Sequence, residues 1–158
     1  MANDFTGAKF NPPLDRINRK ISSAGRKLSK IEVPNKKCSI LLDQWVLQNF
    51  ATQGGKVGGW PPFKHPEWGR YLPGVGWDPS AKLLQDTGRL KRSFRPWYNR
   101  RTAGIGSNLP YSKPHEEGTS KLPQRRILPR SNLDNELMEK FYVVYDKHVK
   151  ASLETMKL

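Results

Sequence analysis

The sequence is poor in cysteine, in long apolar runs and in acidic side chains. Cys38 is the single cysteine, so the chain cannot form an internal disulfide, which is typical of proteins that work in a reducing compartment. No stretch approaches the roughly 18 apolar residues that a membrane-spanning helix needs. Residues 1–13 contain no apolar run of signal-peptide length. We therefore expect a protein that is assembled in the cytoplasm and has no membrane partner.

Sequence motifs that are typical of enzyme active sites are also missing. The sequence has no GxxxxGK[ST] phosphate loop and no zinc-ligand spacing. His115 precedes Glu116 as in a metalloprotease helix, but no second histidine follows four residues on. Lys36 and Lys37 could lower the pKa of the Cys38 thiol, although a buried, inert cysteine is the favoured interpretation. We therefore expect no catalytic residues, no cofactor and no metal.

Basic side chains are abundant. The chain has 28 Lys and Arg against 14 Asp and Glu, a formal net charge of +14. The excess is concentrated in residues 51–130. Such a charge predicts an acidic partner, either nucleic acid or a carboxylate-rich protein, while a solvated basic face is the alternative.

Apolar spacing predicts a helix at each end of the chain and a mixed region between them. An amphipathic helix is expected within residues 1–35, ended by Pro34, and a second helix from about Lys36 to Gln53. A β-hairpin is expected over residues 94–108, and a final helix within residues 131–158. Together these elements predict one α+β domain over residues 1–158, with a small antiparallel sheet between helices and residues 36–130 as its core region. The apolar positions that define the helices are Leu14, Ile17, Ile21, Ala24, Leu28 and Ile31; Ile40, Leu41, Leu42, Trp45, Val46 and Phe50; and Leu137, Phe141, Val144 and His148.

Two further helix starts are predicted from capping residues. Asp86 or Thr87 is expected to cap a short helix that runs to about Arg92. Ser131 with Asp134 resembles a capping box at the start of the final helix.

Residues 54–80 form a long loop rich in tryptophan, proline and glycine. Its central part reads GWPPFKHPEWGRYLPGVGW, and this density of proline and glycine predicts that no regular helix or strand forms there. The loop either folds onto its own core or binds another molecule, and we expect a division between its ends and its middle. Trp60 and Trp77 are expected to pack on the core, while Phe63, Trp68 and Tyr71 are expected to contact a neighbour.

The stretch LLQDTGRLKRSF and its surroundings resemble the virion-morphogenesis, or tail-completion, family of tailed bacteriophages, Mu-type members included. The resemblance covers roughly residues 40–150 and includes QWVLQNFATQGG, GWPPF, the later Trp68, GIGSNLPYSKPHEEG and PQRRILP in the family's order. Ser112 departs from the family pattern, which has alanine there. The residues that match the family's motifs are Asp86, Thr87, Gly88, Arg89, Leu90, Gly106, Asn108, Tyr111, His115 and Gly118, followed by Arg126, Ile127 and Leu128.

The resemblance implies a structural protein of the head–tail junction, the phage neck. It implies that the chain assembles as a cyclic homo-oligomer, with a hexamer as the expected form, and joins the capsid connector to the tail. The partners would be neighbouring connector, tail-terminator or tail-tube proteins, with non-specific contact to genomic DNA in the channel. The motif residues would then be structural, and the protein would be located in the virion.

A second interpretation is a nucleic-acid-binding accessory protein. The stretch GRLKRSFRPWYNRR places arginines beside Phe94, Trp97 and Tyr98, and proteins that bind single strands combine cations with stacking surfaces in this way. Arg100 and Arg101 are expected at the tip of the hairpin, where they would contact acidic protein or DNA.

Overall fold

The computed structural model describes residues 14–64, 70–72, 74–78, 80–130 and 134–154. Its elements confirm the predicted α+β class, with helices at both ends of the described chain and two separate two-stranded antiparallel sheets between them. In chain order the elements are α1 (Leu14–Leu28), α2 (Glu32–Ala51), a 3₁₀ turn (Gly55–Val57), β1 (Arg70–Leu72), β2 (Gly76–Asp78), α3 (Arg89–Ser93), β3 (Arg95–Tyr98), β4 (Ala103–Gly106), α4 (Ser112–Glu117) and α5 (Asn135–Glu154).

The break between the first two helices precedes the proline that was expected to cause it. Helix α1 ends at Leu28, and α2 begins at Glu32, so Pro34 lies buried in the first turn of α2. A proline is tolerated there because the first N–H groups of a helix have no intrahelical partner. The prediction that Pro34 ends the first helix was therefore wrong.

The core is built around α2. Phe50 is fully buried and contacts the Trp60 ring edge-on at a centroid distance of 5.3 Å and the Phe94 ring at 6.1 Å. Ile40 was expected on the core face but is about half exposed. The buried cluster comprises Trp45, Val46, Phe50, Trp60, Leu83, Leu90, Phe94, Ile127 and Leu137.

Helix α5 packs on α2 through the predicted face. Leu137 is buried and Phe141 packs against the core cluster. The helix starts at Asn135, and Asp134 caps it, since its Oδ1 accepts the Leu137 N–H at 2.8 Å. The other carboxylate oxygen of Asp134 accepts the indole N–H of Trp45 on α2. Ser131, the expected partner of a capping box, lies outside the described residues.

Only one of the two hairpins was predicted from the sequence. Strands β3 and β4 confirm the hairpin predicted over residues 94–108, and Arg100 and Arg101 lie exposed in its turn. Strands β1 and β2 lie inside the loop that was predicted to have no regular structure, so that prediction was wrong. Gly74 and Gly76 have φ of +80° and +100°, and this left-handed backbone allows the chain to reverse within a few residues.

Candidate functional site

The hairpin formed by β1 and β2, residues 70–72 and 76–78, presents an exposed aromatic pair and is called the aromatic hairpin below. Tyr71 and Trp77 face each other across the strands with ring centroids 5.5 Å apart, and each is 56% exposed. Val75 in the turn is 78% exposed. The expectation that Trp77 packs on the core was wrong, because three-residue strands place it opposite Tyr71 instead.

The start of the same loop is attached to the core. Trp60 is buried as expected, and its indole N–H donates to the carbonyl of Arg126 at 2.7 Å. Phe63 was expected to contact a neighbour, but it is partly buried and packs against the core cluster. Trp68 lies outside the described residues.

An ion pair links the aromatic hairpin to the Asp86–Leu90 motif. The Arg70 guanidinium contacts the carboxylate of Asp86, which is itself largely exposed. Asp86 makes no capping hydrogen bond to α3, so the prediction that Asp86 caps this helix was wrong. Gly88, at φ +70°, stands at the cap position, and Thr87 Oγ1 accepts the Arg89 N–H at 3.3 Å.

The rest of this motif lies close to the core. Leu90 is buried in the core cluster, as expected for an anchor of the short helix. Arg89 is exposed. The Arg92 guanidinium donates to the carbonyl of Thr87 at 2.7 Å and lies where a side chain at position 88 would project. Glycine at 88 is favoured by its left-handed backbone conformation, since the flexible Arg92 side chain could move aside.

Residues 125–128 include the last three motif residues and form an extended segment, which we call the threaded segment. Glu116 on α4 accepts the N–H groups of Ile127 and Leu128 at 2.5 and 3.0 Å. From the opposite side Asn49 on α2 donates to the carbonyls of Arg126 and Ile127 at 3.1 and 3.2 Å. Side chains thus satisfy a backbone that has no strand partner, and Ile127 is fully buried in the core.

Arg125 fixes the beginning of the threaded segment. It is buried, its N–H donates to the His115 carbonyl at 2.8 Å, and its guanidinium donates to the carbonyls of Pro61 and Pro62 at 2.9 and 3.0 Å. Gly118 turns the chain at φ +77°, with the backbone of Gln124 close to where a side chain would start. These contacts hold the threaded segment in place.

The remaining motif residues differ in exposure: Asn108 and Tyr111 are exposed, while Gly106 and His115 are partly buried. Gly106 ends β4, and the Tyr111 ring lies edge-on to His115 at 6.4 Å. Burial and the nearby positive charge of Arg125 lower the pKa of His115 below its ordinary value of 6.5. His115 is therefore held neutral at pH 7.

Sequence reasoning missed the residues that organise these contacts. Asn35 and Asn49 are fully buried on α2, and Glu116 holds the threaded segment. The signal that could have found the two asparagines is a polar residue at a core-facing position of an apolar helix, because such a residue must find a partner.

A basic groove lies between the corner of α1 and α2 and the turn of the β3–β4 hairpin. It has a volume of about 700 Å³. Among the described residues, no carboxylate is in ion-pair contact with any of its four cations. The groove is lined by Arg26, Ser29, Lys30, Glu32, Val33, Lys36, Tyr98 and Arg100.

Chemically reactive groups are few. Cys38 is buried, and burial raises the pKa of its thiol, which leaves it protonated and unreactive at neutral pH. Within the part of the chain that the structure describes, no three His, Cys, Asp or Glu side chains gather as a metal-binding group. None of the helices described is long and apolar enough to cross a membrane.

Comparisons with protein-family models, with curated proteins and with solved structures found no significant match. The function must therefore be argued from the surfaces above and from the sequence motifs.

Proposed function

We propose that this chain is a structural protein of the phage head–tail junction, which assembles as a ring and joins the capsid connector to the tail. The motif resemblance motivates the proposal. The contacts of Leu90, Arg125, Ile127 and Gly118 support a structural role for the motif segments. In this role the protein acts by binding its own copies and its neighbours in the virion, and it needs no catalytic residues.

The observation that carries the proposal is the aromatic hairpin. Tyr71 and Trp77 expose a paired aromatic surface, and Val75 in the turn between them is more exposed still; exposed aromatic clusters of this kind are typical of protein interfaces. The turn is short and contains Gly74, and the ion pair of Arg70 with Asp86 attaches the first residue of the hairpin to the domain. A preordered arm loses less conformational entropy on binding than a flexible loop.

The experiment is the mass of the purified full-length chain in solution, measured by light scattering after size-exclusion chromatography over a range of concentrations. We expect a closed cyclic oligomer, with six copies as the expected number. Trp77→Ala with Tyr71→Ala should shift the protein to a monomer that keeps the helical circular-dichroism spectrum of the wild type. Trp97→Ala is the matched control, since Trp97 is a similarly exposed tryptophan on the other hairpin (50%).

Two results would contradict the ring proposal. One is a wild-type chain that remains monomeric at every concentration and also fails to assemble with connector or tail proteins. The other is an oligomer that survives loss of both aromatic side chains but dissociates when Trp97 is replaced.

The second candidate function is non-specific binding of single-stranded nucleic acid by the β3–β4 hairpin. One observation favours it: all four residues of β3 are exposed, including Trp97 and Tyr98, with Arg95 in the same strand and Arg100 and Arg101 in the turn. This arrangement supplies stacking surfaces next to cations. Under this function the monomer should bind an oligothymidine, and its affinity should fall steeply as salt rises. Trp97→Ala should weaken that binding, whereas Trp77→Ala should leave it unchanged.

A further inference from the structure

The basic groove has features that the ring proposal does not use. Arg26 and Lys30 lie on one wall, Lys36 lies on α2, and Arg100 projects from the hairpin turn opposite. In the described structure none of the four cations contacts a carboxylate within ion-pair distance, so no ion pair neutralises their positive charges. Like charges around one groove repel each other, so an acidic occupant would be attracted there.

The walls of this groove are held in place by a buried amide. Asn35 is 1% exposed, and its Nδ2 donates to the Asn99 carbonyl in the hairpin turn at 2.8 Å. Its Oδ1 accepts the hydroxyl of Tyr145 on α5. One side chain thus connects α2, the turn and α5.

The hairpin turn is also ordered from within. Asn99 Oδ1 accepts the N–H groups of Arg101 and Thr102 at 2.7 and 2.9 Å. The backbone at Arg100 is therefore ordered before any partner binds, which lowers the entropy cost of binding.

The lining favours a peptide over a nucleic acid. Val33 and Tyr98 provide an apolar surface between the cations, which suits an aliphatic or aromatic side chain. Glu32 lies among the cations, and its carboxylate oxygens can accept hydrogen bonds. A peptide backbone can donate N–H groups to Glu32, whereas a phosphodiester backbone has no hydrogen-bond donor.

We propose that the basic groove binds an acidic peptide segment of a partner protein, with carboxylates on the four cations and one apolar side chain against Val33 and Tyr98. The site is separate from the aromatic hairpin, so peptide binding and ring assembly can succeed or fail independently. Peptide binding in this groove also gives a function to α1 and to the corner between α1 and α2.

The test uses the full-length chain and fluorescence anisotropy. The probe is a labelled seven-residue peptide of six glutamates around a central leucine, and an oligothymidine of similar charge is measured in parallel. We expect saturable binding of the peptide, with at least a tenfold tighter dissociation constant than that of the oligothymidine at the same salt. Lys30→Glu with Arg100→Glu should weaken peptide binding at least tenfold. Replacing the central leucine by glycine should weaken it severalfold.

The matched control is Lys82→Glu with Lys121→Glu, which changes the net charge equally at two exposed lysines outside the groove. Its binding should be close to that of the wild type. Equal losses in both double variants would overturn the proposal, since they would indicate attraction by net charge alone. Tighter binding of the oligothymidine, lost in the groove variant, would overturn it in favour of a nucleic-acid site.

Discussion

The two hairpins of this protein have the same antiparallel topology but opposite relations to the core. Strands β3 and β4 both lie along α2, and their turn is attached to the buried Asn35. In the described chain β1 and β2 pack chiefly against each other, and an ion pair between the partly buried Arg70 and the largely exposed Asp86 connects them to the residues before α3. The first arrangement fixes a surface against the core, while the second leaves an aromatic pair exposed.

This difference indicates which side chains can contribute free energy to association. Side chains of the aromatic hairpin contribute little to the stability of the monomer because they are exposed, so their burial can contribute to association. Burying one large apolar side chain contributes about 1.5–3 kcal/mol. The β3–β4 hairpin instead supports the rigid wall of the basic groove.

Asn35→Ala should give the largest change. The substitution removes the donor to the Asn99 carbonyl and the acceptor of the Tyr145 hydroxyl, and losing hydrogen-bond partners at a buried position costs about 1–3 kcal/mol. Chemical denaturation should show this loss in the free energy of unfolding. Asn108→Ala, at an exposed asparagine, is the control and should change stability by less than about 0.5 kcal/mol. Equal effects of the two substitutions would show that Asn35 does not anchor the hairpin.

Gly104→Ala should destabilise the β3–β4 hairpin. A Cβ at position 104 would clash with the Trp97 indole, which lies across the strand pair. Displacing a packed side chain costs about 1–3 kcal/mol. Gly106→Ala is the control in the same strand, because no atom lies within 4 Å of the added Cβ and the backbone is not left-handed. If both variants melt at the wild-type temperature, Trp97 does not pack on Gly104 in solution.

Asp86→Ala should have a smaller effect. Asp86 does not cap α3, and its exposed pair with Arg70 is expected to contribute about 0–1 kcal/mol. The difference from the wild type should shrink further at high salt, because ions screen exposed charges. A loss well above 1 kcal/mol that persists in salt would show that the aromatic hairpin is attached more firmly than the structure indicates.

The smallest expected effect is a pH dependence from His115. Its pKa is lowered in the folded state, so the unfolded chain takes up a proton first as the pH falls. The stability from neutral His115 is therefore present above its ordinary pKa of 6.5 and is lost as the pH falls through the lower folded value. Denaturation at several pH values should show a shallower decline for His115→Gln than for the wild type. Identical slopes would contradict the assigned burial.

Regular spacing explains what could be predicted from the sequence. The apolar periodicity of α1, α2 and α5 depends on near neighbours along the chain, so it predicted these helices, and the hairpin over residues 94–108 is likewise formed by neighbouring segments. The β1–β2 pair was missed because its strands have three residues each and are surrounded by proline and glycine.

The contacts that define the surfaces depend on distant residues instead. Asn35 finds its partners in the turn and on α5, and Glu116 holds N–H groups of Ile127 and Leu128. Nothing in local spacing identifies which backbone groups lack a strand partner. The basic groove likewise requires that Lys30 and Arg100, far apart in sequence, meet in the fold.

Hydrogen exchange of the backbone, measured by mass spectrometry, tests the central claim most directly. The claim is that the aromatic hairpin is exposed in the monomer and covered in the assembled ring. Exchange should be compared between the monomer and the assembled form for peptides that contain residues 70–78 and 95–106. We expect slower exchange on assembly in 70–78 and little change in 95–106. Unchanged exchange in 70–78, with protection confined to 95–106, would contradict the account.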